Sequence, residues 1–514
     1  MYKRIMIYLV VCIVLSMYLF SCTKKEVLFR FAVTNFPVSF DAMLEEDIFS
    51  SIVNGNIFET LVKEESRIVT PSLADYWYSP SDTLMVIKLS ESVSFSDGAL
   101  MTEYDVIASL NRAMNHPRNR FRVRIDSLSR VDDFLIHLHI PKARERESLM
   151  NFLASVPIYK ACDIEAFGED YFRQFPIGTG EYFLYSSDEK KIILKKNKLH
   201  NNLKTNKKCP DTVEYILEPD IRRQFTLLKE KKVDFVLDID YSDYQEASSI
   251  KRLQLIERLS HYYILLTLNA MAETHPQINQ VKNPLRETKV RQAIAHAIDM
   301  RTYIKENLSD KAHLLVTPSA IFYQHYPSYL DYYKYDLTLS KSLMKSAGFE
   351  QGFRMGLSAT TGQYSAPLAL FIKKSLQAIN IDVDISFYEG TDIFNVLEKE
   401  PPASYVTIYG ASTNAPRKVT DVIDSYLNYQ TNRNRRNYFE LRQPRISELL
   451  ARLNSNDLDI EEEHSLRKEL FQTVYDEAMV IPMFQPNVFH VINNKFVWNH
   501  LNNGHPQISE FQVR

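Results

Sequence analysis

Hydrophobic and polar residues alternate along the chain with two different periods, and each period predicts a type of element. Over Thr83 to Gly98 the apolar residues recur at about every second position, and Asp97-Gly98 supplies a turn, which predicts a β-hairpin. After Thr102 the apolar spacing becomes helical. Thr102 suits the N-cap position, since Asp105, three residues later, can accept hydrogen bonds from free backbone N–H groups.

Similar changes of period occur in the second half of the chain. Apolar residues at helical spacing predict one helix over Lys289 to Ile304 and another over Glu461 to Asp476. Short apolar runs at Ser404 to Tyr409 and Ile481 to Phe484 predict strands. Strands and helices therefore alternate along the chain, which indicates a mixed α and β fold.

The first residues have the three parts of a secretory signal. Lys3 and Arg4 precede an uncharged apolar run over Ile5 to Phe20, which at 16 residues is short for a span of about 20 residues. The run ends at Ser21-Cys22, which resembles the lipidation site of bacterial lipoproteins, although Phe20 departs from the usual residue there. We expect Cys22 to carry a lipid that holds the protein at a membrane, and an uncleaved N-terminal anchor is the alternative.

Composition limits the classes of partner and site. The 45% hydrophobic content allows a large core, and the formal net charge of −3 is too mild to imply nucleic acid or an acidic surface as partner. Cys162 and Cys209 could form a disulfide in an oxidising compartment, but their spacing does not decide this. Neither cysteine has a neighbour at metal-ligand spacing, so we expect no metal site.

No pattern of residues indicates catalysis. The chain has no Gly-x-Ser-x-Gly, His-Glu-x-x-His, phosphate-loop or dinucleotide-binding motif. His137 and His139 would share one face of a strand, but no third ligand follows at a recognisable spacing. We therefore expect a protein that is not an enzyme and that has no cofactor.

Several segments, in chain order, share the sequence pattern of one known family. They are Ile57–Val62, Pro71–Trp77, Val93–Gly98, Thr102–Arg112, Pro176–Tyr182 with Lys196-Asn197, Val290–Asp299, Tyr335-Asp336 with Ala347–Phe349, and Pro482–Phe484. Together they resemble the family 5 extracellular solute-binding proteins, which include the oligopeptide- and dipeptide-binding proteins of ABC importers. One departure is Glu181, which stands where the family usually has proline.

This resemblance implies an α/β fold of the periplasmic-binding-protein type II kind, with two discontinuous lobes and an inserted subdomain. A ligand would be enclosed between the lobes. The implied boundaries are residues 1–21 for the signal peptide, 22–26 for the lipid-anchored linker, 27–58, 174–258 and 479–514 for the first lobe, 59–173 for the subdomain and 259–478 for the second lobe.

Most of the residues that identify the family have structural roles by this interpretation. We expect Gly98 and Gly180 to occupy turns with positive φ. We expect Asp299 to make local hydrogen bonds and Arg291 to form a structural ion pair.

The resemblance places the ligand contacts in three loops at the cleft. They are the loop after the first strand, the entry to the second lobe and the loop after the strand Ser404 to Tyr409. The candidate residues are Thr34, Asn35, Phe36, His261, Tyr263, Gly410, Ala411, Ser412, Thr413 and Asn414. Backbone groups at strand ends can bind an extended peptide without selecting its side chains.

The third loop departs from the pattern of many peptide binders. There the family carries Gly-Trp-x-x-Asp, whose acid pairs with the ligand's α-amino group. Here Ala411 stands at the tryptophan position and the neutral Asn414, or Thr413 if the register is shifted, at the acid position. Asp421 and Asp424 could supply the charge only if the loop is longer, so we expect a peptide ligand bound in an altered mode.

The ligand class and the partners follow from the resemblance in the same way. A nickel chelate, haem or an oligosaccharide as ligand, or a surface lipoprotein without a transport role, are the alternatives to a peptide binder. The resemblance further implies a monomer in the cell envelope, outside the cytoplasm, that delivers its solute to the permease subunits of an ABC transporter.

Overall fold

The computed structural model describes residues 26–44, 48–65, 68–116, 125–141, 145–200, 208–390, 392–410, 418–427, 438–455, 458–499 and 506–514. The predicted lipidation site Cys22 lies outside these ranges, as do the candidate ligand residues Ala411, Ser412, Thr413 and Asn414. Their roles stay predictions. No helix of the described ranges combines the length and the apolar content that a membrane span requires.

The strands of the described residues are β1 (Leu28–Val33), β2 (Val62–Glu65), β3 (Ile68–Pro71), β4 (Ala74–Ser81), β5 (Leu84–Leu89), β6 (Ser127–Asp132), β7 (Leu135–His139), β8 (Tyr182–Ser187), β9 (Lys191–Lys196), β10 (Thr212–Leu217), β11 (Phe235–Val236), β12 (Leu253–Leu259), β13 (Tyr262–Leu268), β14 (Ala312–Leu314), β15 (Phe353–Thr360), β16 (Ile381–Tyr388), β17 (Ser404–Gly410), β18 (Val480–Asn493), β19 (Phe496–Trp498) and β20 (Phe511–Val513).

The α-helices of the same residues are α1 (Ile48–Asn54), α2 (Glu103–Asn115), α3 (Glu145–Leu153), α4 (Ala161–Phe167), α5 (Ile221–Lys229), α6 (Tyr244–Ser249), α7 (Thr288–Ala297), α8 (Met300–Leu308), α9 (Leu337–Ser346), α10 (Ser365–Leu376), α11 (Asp392–Lys399), α12 (Val419–Leu427), α13 (Pro444–Leu453) and α14 (Ile460–Glu477).

One strand joins the two lobes. The main sheet has the order β16-β15-β17-β13-β18-β11-β1-β10-β9-β8, and β12 and β14 also pair with β18. The first half of β18 pairs with β13 and β14 of the second lobe, and its second half, Asn487–Asn493, pairs with β12 of the first lobe. The predicted two-lobed α/β fold is confirmed, and β18 is a crossing strand shared by both lobes.

Each lobe has its own hydrophobic core. In the second lobe, alternate residues of β13 enter clusters on opposite faces of the sheet, with Ile264 and Leu266 in one and Tyr263 and Leu265 in the other. A sheet buried on both faces explains why its strands are nearly continuous apolar runs. The first lobe packs the aromatic residues of β1 against β10, β11, β19 and β20. The domain boundaries implied by the resemblance stay predictions at residue level.

A separate four-stranded sheet, with the order β4-β5-β7-β6, packs its own core against α2. The predicted hairpin over Thr83 to Gly98 is wrong, because β5 pairs with β4 and β7, and Ser94 forms only an isolated bridge with Leu100. The start of α2 is as predicted. Thr102 and Asp105 form a reciprocal capping box, in which the Asp105 carboxylate accepts the Thr102 backbone N–H at 2.7 Å.

The helix predicted over Lys289 to Ile304 is two helices. α7 ends at Ala297, and Asp299 caps α8 by accepting the backbone N–H of Thr302 at 3.1 Å. The local role expected for Asp299 is therefore confirmed. Arg291 forms the expected structural ion pair, with Nη2 2.8 Å from Glu477 Oε2, and only 2% of the residue is exposed.

Gly98 and Gly180, for which the sequence predicts positive φ, meet two different structural requirements. Gly98 has a φ of +92°, as predicted for a turn. The prediction of positive φ for Gly180 is wrong. A Cβ at Gly180 would instead lie 2.5 Å from the carbonyl oxygen of Asn56, so close backbone approach requires glycine there.

Candidate functional site

The joint between the lobes is built from two adjacent strand crossings. The β12–β13 crossing passes through Ser260, whose N–H donates to Pro486 O of β18 at 2.9 Å. Gln485, fully buried in the other crossing, donates from Nε2 to Ser260 O at 2.7 Å and accepts the Ile321 N–H at 2.9 Å. In the described part of the chain the joint consists of these two crossings, a geometry that allows the lobes to rotate about it while each core stays intact.

The carboxyl ends of parallel strands from both lobes meet beside this joint. In the first lobe β1 runs parallel to β10 and β11, and in the second β15 runs parallel to β16 and β17. Gln363, in the loop after β15, accepts the backbone N–H of Tyr241, in the loop after β11, at 3.1 Å. Ligands of open α/β sheets bind at the carboxyl ends of strands, so we take this cleft as the candidate site.

The first predicted segment, Thr34 to Phe36, lies directly after β1 at this edge. Its three side chains are half-buried, and the Thr34 hydroxyl donates to Asn35 Oδ1 at 3.1 Å. Further along the same loop, the fully buried Asp41 is held by Arg112 Nη2 at 2.5 Å and by the Tyr159 hydroxyl at 2.6 Å. The loop is therefore anchored at Asp41 to Arg112 and Tyr159 of the inserted subdomain, which limits how far its other end, Thr34 to Phe36, can move.

The other two predicted segments are brought together by strand register. Tyr262 of β13 lies opposite Gly410, the last residue of β17. His261 is half-buried with its ring 6.1 Å from that of Phe322. Tyr263 is 0% exposed, and its ring packs 5.0 Å from that of Tyr409 in the core. The geometry therefore places Tyr263 behind the cleft wall, while its neighbour Tyr262 lies on the opposite face of the strand.

Tyr262 belongs to a pair of tyrosines that the sequence interpretation missed. Its ring lies 5.7 Å from the ring of Tyr364, which follows Gln363 at the end of β15. Burial, the Tyr364 hydroxyl and the Asp238 carboxylate together raise the pKa of Tyr262 well above its usual value. Burial likewise raises the pKa of Tyr364, with contributions from Asp238 and Asp240. Both hydroxyl groups stay protonated, and that of Tyr262 donates to that of Tyr364, which leaves the Tyr364 O–H as a donor.

The acidic residues near this pair come from the loop after β11. Asp238 has a positive φ of 55° and lies with Oδ1 2.9 Å from Nδ1 of His490. Asp240 accepts the Ser242 backbone N–H at 2.9 Å and lies 3.8 Å from Nε of Arg222. No sequence motif distinguishes these aspartates from surface residues, and only the fold brings them beside Tyr262.

The described residues contain no group of three or more histidine, cysteine or acidic side chains arranged to hold a metal ion. The rings of His137 and His139 lie 6.3 Å apart on β7 of the subdomain sheet. Cys162 is exposed and Cys209 is buried, and the two form no disulfide in this structure.

The sequence matches the profile of the bacterial extracellular solute-binding proteins, family 5, over residues 69–430. This chain belongs to that family. The resemblance found in its sequence blocks is therefore confirmed.

Proteins similar to this chain are named for different ligands. The chain is 21% identical to the oligopeptide-binding protein AppA of Bacillus subtilis over 71% of its own length and 69% of AppA. It superposes with a TM-score of 0.76 on DppA of Helicobacter pylori in complex with the peptide STSA, at 21% identity over 95% of this chain and 99% of DppA. It superposes equally, at 0.76, on NikZ of Campylobacter jejuni in complex with Ni(L-His), at 18% identity over 94% of this chain and 99% of NikZ.

Proposed function

We propose that this family 5 protein is the substrate-binding component of an ABC importer and that it binds peptides between its lobes. In this proposal Cys22 carries the lipid that holds it outside the cytoplasm, and a membrane permease receives the peptide. The observation that carries the proposal is the meeting of strand carboxyl ends from both lobes at the Gln363–Tyr241 contact. Binding proteins of the same family that are named for peptides support the ligand class.

Peptide binding would favour the closed arrangement of the lobes. A ligand shifts such an equilibrium only through contacts that are stronger in the closed state, and a peptide that touches both walls of the cleft makes such contacts. The proposed contacts are backbone groups of Thr34 to Phe36 on one wall, and His261 with Gly410 to Asn414 on the other. Main-chain hydrogen bonds would supply affinity for peptides of varied sequence.

Because the third loop lacks the usual acid, a different residue must bind the peptide's α-amino group in this proposal. Asn414 carries no charge, so a buried ammonium group needs another carboxylate. Asp238 lies beside Tyr262 and Tyr364, at the junction of both walls, and raises the pKa of both tyrosines. We assign it the role of counter-charge to the α-amino group.

Limited tryptic digestion of the purified protein tests the ligand class. A pool of short peptides should slow cleavage, because closure buries the loops at the cleft. Oligosaccharides and a nickel–histidine complex at the same concentrations serve as the comparison. Protection by one of these solutes, and none by peptides, would refute the peptide proposal and leave the two-lobed binding fold intact.

A further inference from the structure

Several strands of the first lobe's sheet begin or end on the side opposite the cleft. We call this end of the sheet the basal edge. β1 and β10 begin there at Leu28 and Thr212, and β9 ends beside them, with Lys195 paired to Thr212. β18 also ends there, with Asn493 paired to Leu253 at the start of β12. The basal edge therefore collects the loops that precede β10, β11 and β12 and those that follow β9 and β18.

Backbone hydrogen bonds join these loops into one surface. Lys208 O accepts the Val513 N–H at 3.0 Å, and Lys495 O accepts the Arg514 N–H at 3.0 Å. Arg252 O, just before β12, accepts the Asn494 N–H at 2.9 Å. The C-terminal residues and the turn after β18 are thus fixed against the loops before β10 and β12.

This surface carries exposed cations without acidic partners. Six of them are exposed and form no ion pair with any carboxylate of the described residues: Lys198, Lys208, Lys231, Lys251, Lys495 and Arg514. Two of them contact neutral groups: Arg514 donates to Gln254 Oε1 at 3.1 Å, and Lys495 Nζ lies 4.9 Å from the Phe496 ring centroid.

The acidic side chains at the same edge are already engaged. Asp234 holds Arg30 at 3.0 Å, and the other contacts are Glu230 with Lys232, Glu246 with Lys229, Asp211 with the Val27 N–H, and Glu26 with the Thr212 hydroxyl. Among the described residues Asp211 and Glu26 contact only neutral groups and keep their charges, but the six unpaired cations outnumber them, so the surface is electropositive although the whole chain has a net charge of −3. The mild net charge conceals this separation of charge across the first lobe.

The position of the chain's entry into the fold indicates what this surface meets. Glu26 and Val27, which open the described chain, lie at the basal edge against Thr212 and Asp211. Cys22 precedes Glu26 by four residues, a reach of about 14 Å when extended. A lipid on Cys22 would therefore hold the basal edge within about 14 Å of the membrane surface. The screening length at physiological salt is about 8–10 Å, so a less extended linker brings the two within electrostatic reach.

We propose that, while solute is being captured, the basal edge docks on the anionic lipid headgroups of the membrane that carries the anchor, which points the cleft away from the bilayer. Delivery to the permease then requires release of this contact. This inference rests on the proposed lipidation of Cys22. Basic residues close to an anionic leaflet each contribute attraction, and a lipid chain with a basic patch forms a two-point attachment that fixes orientation. The opposite end of the lobe, with Asp238 and Asp240, would face the solution where solutes are captured.

Lysine acylation of the lipidated protein on vesicles tests the orientation. On vesicles with about one third phosphatidylglycerol, the basal lysines should react about tenfold more slowly than on phosphatidylcholine vesicles, and raised salt should abolish the difference. Exposed lysines of the second lobe, Lys282, Lys305, Lys341 and Lys374, should react equally on both. Equal reactivity of the basal lysines on both vesicles would overturn the proposal.

Variants with matched charge reversals distinguish the effect of the basal surface from that of the lipid anchor. The variant Lys208→Glu, Lys231→Glu, Lys251→Glu and Lys495→Glu should keep its lipid and its melting temperature but lose the protection of Lys198, the remaining basal lysine. The same four changes at Lys282, Lys305, Lys341 and Lys374 should leave that protection unchanged. Equal loss in both variants would contradict a specific surface.

Two further measurements tell a missing lipid anchor, or a preference for a soluble polyanion, apart from a basal surface that does not bind lipid. The mass of the N-terminal peptide reports lipidation directly, so its absence would refute the proposed anchor rather than the surface. Unlipidated protein should then still sediment with anionic vesicles in preference to neutral ones. Binding to double-stranded DNA without selectivity between the two vesicle types would overturn the lipid assignment in favour of a soluble polyanion.

Discussion

At the scale of single residues, we propose that Asp238 takes the place of the acid that the third loop lacks. The third loop has the neutral Asn414 where many peptide binders carry an acid, whereas Asp238 lies beside Tyr262 and Tyr364. His490 Nδ1 accepts the Asp238 backbone N–H at 3.3 Å and lies 2.9 Å from the Asp238 carboxylate. An ammonium group placed between Asp238 and the two tyrosine hydroxyls would have an anionic partner and polar neighbours.

Replacing Asp238 by asparagine tests this role. Asp238→Asn should weaken binding of peptides with a free amino terminus about tenfold or more, because a charge-assisted hydrogen bond is worth about 1.5–3 kcal/mol. Isothermal titration calorimetry measures the change. Asp240→Asn removes a carboxylate of the same loop that faces Ser242 and Arg222, and should have a smaller effect. If N-acetylated peptides lose as much affinity as free ones, the role assigned to Asp238 is wrong.

A second group of charged residues lies where this chain departs from the family pattern. Burial raises the pKa of Glu181, at the position of the family's proline, against the hydrogen bond from Ser509. Burial alone would lower the pKa of His200, but the Glu59 carboxylate, 3.2 Å from Nε2, and the charge of Glu181 outweigh it. The pKa of His200 is therefore raised, although Lys63 opposes the shift.

His200→Gln should change how stability depends on pH. A histidine whose folded pKa lies above its ordinary 6.5 stabilises the fold fully below that value, and the contribution is lost as pH rises through the folded pKa. As pH rises above 6.5 and through the folded pKa, the wild type should therefore lose more unfolding free energy than the variant. Urea denaturation at each pH measures this. The same slope in both proteins, with the exposed His313→Gln as control, would contradict it.

At the scale of elements, Arg291 joins α7 to the end of α14. Its guanidinium donates to Glu477 O at 2.6 Å, to Glu477 Oε2 at 2.8 Å, and to the carbonyl oxygens of Leu285 and Arg286 at 2.9 Å. One buried side chain thus satisfies backbone acceptors from two separate segments and fixes the helix that packs on β13.

Arg291→Met should destabilise the second lobe. Loss of the guanidinium leaves buried carbonyl oxygens and the Glu477 carboxylate without their donor, which costs about 3–5 kcal/mol. Thermal and urea unfolding measure the effect. Glu477→Gln keeps the backbone acceptors paired and should cost clearly less. Equal losses for the two variants would show that the ion pair, rather than the carbonyl contacts, dominates.

Local sequence patterns predict elements better than they predict their partners. The capping box at Thr102 and Asp105, the helix α14 and the strand β17 follow from spacing and side-chain chemistry within a few residues. The partner of β5 does not, because the pairing with β7 joins residues about fifty positions apart. The break between α7 and α8 was also missed, since the helical spacing continues across Ile298 and Asp299 while Asp299 starts a new helix as its cap.

The candidate site shows the same limit. Family blocks place Thr34 to Phe36, His261 and Gly410 at strand ends, and the register of β13 with β17 brings two of these segments together. Strand alternation, however, turns Tyr263 into the core and Tyr262 to the other face. Asp238, Gln363 and Tyr364 carry no motif, so only the tertiary structure brings them into the cleft.

At the scale of the whole molecule, β18 couples two lobes that the linear sequence does not separate. Its first half belongs to the second lobe and its second half to the first, so the chain has no simple cut between domains. The charges are also arranged along the first lobe, with cations at the basal edge and aspartates at the cleft. Both features depend on distant segments, and net charge or local composition does not reveal them.

The central claim, that the cleft holds a peptide, is tested most directly by the ligand that the protein retains. Denaturing mass spectrometry of freshly purified protein should release short peptides with free amino termini, in an amount close to one per protein molecule. The Asp238→Asn variant should release less under the same purification. Recovery of only a sugar, haem or a metal chelate from the wild type would contradict the account.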